Sequence, residues 1–226
     1  MTGQLALQLP TTVQSVVTSR LNAELIATVA QLWIDDDDLV VDCTYGRGRF
    51  WDRYRPHRLV AHDLALDGVD FRRLPEADSS VDVVVLDPPY IVQGGRETST
   101  IRAVSGTRAN VTTDGDGFLE RYGLVDGPRT VAELEQLFTD GIAECTRVLA
   151  PRGRLLVKCM DFVSSGRFVT MRRHVCDTAE AAGLEQVDEF VHASGLGPQP
   201  VRPDRQQHSR RAHSFLCVFQ APGRRP

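Results

Sequence analysis

An α/β fold built on a doubly wound, mostly parallel sheet is what this sequence predicts, and three observations carry the prediction. Short apolar runs such as "LVVDC" at 39–43 and "VDVVVLD" at 81–87 are continuous rather than alternating, as strands covered on both faces require. Amphipathic segments at helical spacing lie between and after these runs. Strands alternating with helices in one chain favour parallel crossovers. With 226 residues and 42% hydrophobic content, the chain suits one domain over residues 1–226.

The elements follow in order. In "RLNAELIATVAQLWI", Leu21, Leu25, Ile26, Val29, Leu32 and Trp33 share one face at helical spacing. "DDDD" at 35–38 stops that helix, because like charges repel and oppose the negative end of its dipole. A solvated turn accounts for the run better than a metal site does. "LVVDC" is a short buried strand, "TYGRGRF" a turn, and "FWDRY" opens a helix. "RLVAHD" reads as a second strand, "GVDFRRLP" as a short third and "VDVVVLD" as a fourth. Residues 92–128 are polar and rich in Gly, Ser and Thr, a loop long enough to be either functional or disordered. Periodicity returns in "TVAELEQLFTDGIAECTRVL", with Val131, Leu134, Leu137, Phe138, Ile142 and Val148 facing inward. "PRG" then turns the chain into the strand "RLLVKCM". A helix spans about Val169 to Ala182 and ends at Gly183. "LEQVDEFVHA" and "SFLCVFQ" close the chain as two strands.

Composition narrows the function classes. No apolar stretch approaches the roughly 18 residues of a membrane span, and the N-terminus lacks a signal-peptide pattern, so a cytoplasmic protein is expected. Cys43, Cys145, Cys159, Cys176 and Cys217 show no metal or disulfide spacing and read as core thiols. A net charge of -4 argues against a nonspecific nucleic-acid coat. The charge is uneven, however: Arg202, Arg205, Arg210, Arg211, Arg224 and Arg225 face a single acid, Asp204, over the last stretch. Such local basicity forms either a phosphate-binding patch or a solvated tail.

Ligands bind sheets of this kind beyond the carboxyl ends of the strands, and the unusual residues cluster there. "DCTYGRG" after the first strand offers Gly46 and Gly48, which permit close backbone approach to a ligand or simply a tight turn. Asp63, about twenty residues on, can accept hydrogen bonds from a ribose diol or cap a turn. In "DPPY", Asp87 can accept a hydrogen bond from an exocyclic amine, and the prolines stiffen the chain and remove backbone donors. The Pro88 carbonyl can accept a second bond, and Tyr90 offers a ring face to a planar base.

These residues resemble the S-adenosylmethionine-dependent amino-methyltransferases that modify adenine N6 or cytosine N4 in DNA. The resemblance rests on "DPPY" at 87–90, on "TYGRG" where the family has an FxGxG-like loop, and on "DFRRLPEADSSVDVVVLDPPY". "QQHSRRAHSFLCVFQ" is similar to the closing hairpin of small phage and bacterial members. It implies a Rossmann-like class I methyltransferase sheet of seven strands, the last antiparallel. It also implies S-adenosyl-L-methionine as cofactor, with Tyr45, Gly46 and Gly48 along its methionine end, Asp42 supporting the loop, and Thr44 among the cofactor residues. Asp63 would hold the ribose, Asp70 and Phe71 the adenine ring. Asp87 and Pro88, followed by Pro89, would hold the target amine, with Tyr90 stacked on a base flipped from duplex DNA. No metal is implied.

No separate target-recognition domain is discernible, so specificity comes from the 92–128 loop, the basic C-terminal segment or a specificity partner, or else is low; a homodimer is the other expected assembly. Arg96, Arg102 and Arg108 in the loop, and Arg202, Arg205, Arg210 and Arg211 at the end, are the expected phosphate contacts. Lys158 and Asp161 close the fifth strand beside the site as supporting residues or a structural ion pair. The rival readings are cytosine-N4 methylation, guanine-N2 methylation of RNA, and a non-catalytic S-adenosylmethionine-binding module.

Overall fold

Period-two alternation along the strands decides how this chain is layered. In a computed structural model that describes residues 17–18, 21–89, 128–193, 207–209 and 211–223, neighbouring apolar residues of each central strand enter different cores. Val41, Val84, Leu86, Leu155, Val157, Cys217 and Phe219 face one core, and Val40, Val83, Val85, Leu156, Leu216 and Val218 the other. A sheet buried on both faces needs apolar residues at successive positions, which is why the strands read as unbroken Val/Leu runs.

The order is β1 (Val17–Thr18), α1 (Asn22–Trp33), β2 (Leu39–Asp42), a single 3-10 turn (Arg49–Trp51), β3 (Arg58–Ala61) and β4 (Val81–Leu86). Then come α2 (Val131–Val148), β5 (Leu149–Cys159), β6 (Phe162–Ser164), β7 (Arg167–Val169), α3 (Met171–Ala181), β8 (Glu185–Ala193) and β9 (His213–Gln220). The main sheet runs β1-β8-β9-β5-β4-β2-β3, with β6 and β7 as a separate hairpin. Strand β9 is antiparallel to both β5 and β8, and the other pairings within the main sheet are parallel. The sheet is therefore mixed, with six strands of four residues or more and the two-residue β1 added at one edge.

Several sequence expectations are corrected here. "GVDFRRLP" forms no strand; the short β1 at the edge takes its place in the strand count, and the sheet is partly antiparallel through β9. The loss of the expected strand has a local cause: Asp67 accepts from the Val69 amide, Asp70 accepts from the Arg72 amide, and Glu144 accepts from the Leu74 amide. Side chains that satisfy the backbone in this way compete with ladder pairing. Arg147 of α2 completes the hold, donating to the carbonyls of Leu74 and Glu76. "FWDRY" yields only the 3-10 turn, and "PRG" lies inside β5 rather than turning into it. The β6–β7 hairpin was not anticipated.

Helix α1 buries Ala23, Leu25, Ile26, Val29 and Ala30, whereas Leu21 and Leu32, expected on that face, are 51% and 47% exposed. The buried stripe thus runs through Leu25, Ile26, Val29 and Ala30, with Leu21 and Leu32 outside it. The four aspartates that follow turn the chain, with Asp35 and Asp38 both held by Arg154 of β5. Helices α2 and α3 cover the opposite face through Leu134, Phe138, Ile142, Met171 and Val175. Thr130 caps α2 by accepting from the Glu133 amide at 3.1 Å, while Glu133 accepts from the Arg129 amide. Thr130→Ala should cost about 1 kcal/mol of stability, read by chemical denaturation, and a change within error would deny the cap a role. All five cysteines are buried free thiols, as their spacing suggested. No helix among the described residues is long and apolar enough to cross a membrane.

Candidate active site at the carboxyl edge of the sheet

The stripe that packs on α1 turns polar at the carboxyl end of the sheet. Continuing the parity of Val40, Val85 and Leu156 along β2, β4 and β5 leads to Asp42, Asp87 and Lys158, all on that one face. Lys158 is 3% exposed and Asp87 15% at the side chain. Burying such groups is costly unless they are paired, and their meeting here makes this edge the candidate site.

The glycine loop joins them. Asp42 accepts from the Thr44 amide at 3.0 Å and from Trp51 Nε1 at 2.8 Å. Thr44 Oγ1 in turn accepts from the Asp87 amide at 2.7 Å. Thr44 therefore clamps the loop after β2 to the start of "DPPY". Gly46 and Gly48 adopt φ of +55° and +69°, the left-handed region that favours glycine. Among the described residues, a Cβ on Gly46 would meet only the Thr44 carbonyl, at 3.9 Å, which leaves room for a ligand beside the backbone. At Gly48 the space is already filled by the Tyr45 ring, whose hydroxyl would lie 2.4 Å from a Cβ. The Tyr45 hydroxyl accepts from Arg55 at 3.1 Å.

Asp63, expected at the ribose, is buried, and its two oxygens accept from the Gly46 and Ala65 amides at 3.1 and 2.8 Å. Each oxygen keeps a further lone pair for a diol. Asp70 is gripped by its neighbour Arg72, which donates through Nε and a terminal nitrogen and holds the carboxyl below the usual carboxylate range. Phe71 is 5% exposed and lies in the core against Gly141 of α2, so its ring is not displayed at the site. Pro88 and Pro89 are buried directly after Asp87. Tyr90, Arg96, Arg102, Arg108, Arg202, Arg205 and Arg210 lie outside the described residues. Arg211 is placed on the β6–β7 hairpin, its guanidinium 4.5 Å from the Phe168 ring centroid. Asp161 accepts from the Arg172 amide at 3.0 Å and so caps α3.

The electrostatics are dominated by burial. Asp42 is pushed up to about 7 by desolvation, against the lowering pull of Trp51 and Thr44, with Asp87 adding to the rise. Burial also raises Asp87, and Lys158, with Nζ 3.6 Å from Oδ2, opposes that rise. Oδ1 of Asp87 is buried with no hydrogen-bond partner among the described residues. An acid whose folded pKa exceeds its unfolded value binds its proton more tightly when folded, so its contribution is lost as pH rises from about 4 to about 7. Asp42→Asn, which stays neutral, should gain melting temperature relative to the unsubstituted protein as pH climbs through that window. Thermal melts at several pH values check this, and a difference independent of pH would refute it.

Three contributors escaped the sequence reading. Phe50 and Trp51 sit on the 3-10 turn, Trp51 bonding Asp42 and Phe50 lying 5.5 Å by its ring centroid from Lys158 Nζ. His62 bridges Asp67 and Glu76 at 2.6 and 2.8 Å. Burial disfavours its imidazolium, but the two carboxylates outweigh that and raise its pKa. Lys158 also carried an unused signal: it is the one lysine among 26 basic residues, set within a buried strand.

No protein-family profile and no curated protein sequence matches the chain. Among solved structures, it is similar to a Thermus thermophilus protein provisionally named a DNA modification methylase and solved with S-adenosyl-L-methionine. That match has a TM-score of 0.42 at 16% identity and covers 70% of this chain and 54% of the other, so the chain spans about half of that protein's length. The [4+2]-cyclase SpnF matches with a TM-score of 0.49 at 14% identity, over 89% of this chain and 82% of its own. The Burkholderia thailandensis 1,6-didemethyltoxoflavin-N1-methyltransferase, solved with 1,6-didemethyltoxoflavin and S-adenosylhomocysteine, gives 0.47 at 12% identity, covering 89% and 76%. Likenesses of this strength select neither substrate nor reaction for this chain.

Proposed function

We propose that this chain transfers a methyl group from S-adenosyl-L-methionine to the exocyclic amine of a nucleic-acid base, with adenine N6 in DNA as the target. The observation that carries the reading is Asp87 Oδ1, a buried carboxylate oxygen at a strand end with no hydrogen-bond partner among the described residues. Leaving such an acceptor unsatisfied costs about 1–3 kcal/mol, and an NH2 group supplies the donor. The "DPPY" resemblance supports adenine, and the antiparallel β9 agrees with the sheet that the resemblance implies.

The residues present fit the cofactor. The open backbone at Gly46 and the remaining lone pairs of Asp63 suit a methionine tail and a ribose diol. When bound, S-adenosyl-L-methionine supplies an electrophilic sulfonium methyl. Asp87 accepts one amine hydrogen and the Pro88 carbonyl a second, favouring a pyramidal nitrogen whose lone pair points away from the base ring. Thr44 fixes Asp87 relative to the glycine loop, so positioning and charge stabilisation supply the catalysis. Duplex DNA is the proposed partner, its target base flipped out at a cost of a few kcal/mol and stacked on Tyr90. Arg96, Arg102, Arg108, Arg202, Arg205, Arg210 and Arg211 are the proposed phosphate contacts.

Incubating the purified protein with methyl-tritiated cofactor and competing DNA and RNA tests this reading. Label in DNA recovered as N6-methyladenine is the expected result. Label confined to RNA contradicts it.

A further inference from the structure

We infer that Lys158 is a positioning residue for the reaction proposed above, on which the inference rests: its ammonium holds Oδ2 of Asp87, keeping the carboxylate ionised and leaving Oδ1 for the target amine.

The parallel register sets up the pair. Leu86 of β4 is the partner of Val157 of β5, so the next residues, Asp87 and Lys158, emerge side by side on one face. Nζ lies 3.6 Å from Oδ2, and the Phe50 ring lies 5.5 Å from Nζ, an additional attraction for a cation in an apolar setting. The charged groups facing Asp87 among the described residues are Lys158 from β5 and Asp42 from β2, whose charges pull in opposite directions. Thr44 accepts from the Asp87 amide rather than engaging its carboxylate, while its own amide donates to Asp42.

The chemistry explains why the chain places its one lysine here. A buried aspartate beside another acid takes up a proton, and a protonated carboxyl becomes a donor that cannot serve as the sole acceptor for an amine hydrogen. A cation is needed, yet a guanidinium would grip both oxygens through its planar fork. An ammonium is a point donor that engages one oxygen and leaves the other. Every other basic side chain of the Lys/Arg class in this protein is arginine.

The test combines two variants with a readout on the unsubstituted protein. In Lys158→Gln, the acidic limb of the methyl-transfer pH profile should move up by about one to three pH units, as loss of an opposite charge at this distance predicts. In Lys158→Arg, that limb should stay in place while kcat falls, because the fork covers Oδ1. An unmoved limb in Lys158→Gln, with methyl transfer intact in the unsubstituted protein, overturns the inference. Selective 15N labelling of lysine gives one Nζ resonance, which reports on Asp87 without any substrate. A charged ammonium facing an ionised Asp87 at the pH of the transfer assay is expected. A neutral amine, or an Asp87 that is protonated at the pH of the transfer assay, overturns the inference even where Lys158→Gln fails to fold. Absence of transfer to any nucleic acid, with the Nζ result as expected, strikes the proposed reaction and leaves the ion pair standing.

Discussion

Asp87→Ala is expected to lower methyl transfer by at least about 10²- to 10³-fold, the scale at which removing one charge-stabilising group acts. Cofactor affinity should stay near normal, because the proposed cofactor residues Gly46 and Asp63 bond to each other and not to the Asp87 side chain. The substitution also removes the carboxylate that Lys158 Nζ faces at 3.6 Å, and breaking one half of a buried pair typically costs about 3–5 kcal/mol. Calorimetric binding of S-adenosyl-L-methionine and a thermal melt therefore belong beside the kinetics. A folded, cofactor-binding Asp87→Ala protein that keeps most of its activity would contradict the assignment.

Phe71→Ala is expected to destabilise the fold by about 3–5 kcal/mol, as large-to-small changes at buried aromatics do. The ring fills the space over Gly141, where even a Cβ would come within 2.8 Å of it. Phe71→Leu should restore most of that stability and leave cofactor affinity close to normal. If Phe71 instead stacked on the cofactor's adenine, the leucine variant would stay stable and lose affinity, and a denaturation curve paired with a binding titration separates the two.

The sequence disclosed the strands at the sheet centre because burial on both faces demands unbroken apolar runs, a pattern no surface element shares. It singled out Asp42, Gly46, Asp63 and Asp87 because each stands at or shortly beyond the end of such a run, and the fold places them at the carboxyl edge of the sheet. It failed at Gly68 to Pro75, where a Val-Asp-Phe stretch looked extended while aspartate side chains were closing turns on the backbone. It failed also at Leu21 and Leu32, which helical spacing aligned with the buried face but which the buried stripe of α1 leaves outside. Phe71 shows a subtler limit: an aromatic next to an acid at a site's edge reads as a ligand contact, whereas a single glycine on α2 draws the ring into the core. The Lys158–Asp87 pair depends on the register between β4 and β5, which no local pattern reveals.

The central claim is that Asp87 holds a base amine for methylation. Nucleoside mass spectrometry on DNA from a methylation-deficient bacterial host expressing this protein, with Asp87→Ala alongside, tests it most directly. The account predicts an N6-methyladenine peak that disappears in the variant. DNA without a new methylated base, from cells holding folded protein that binds S-adenosyl-L-methionine, would contradict it.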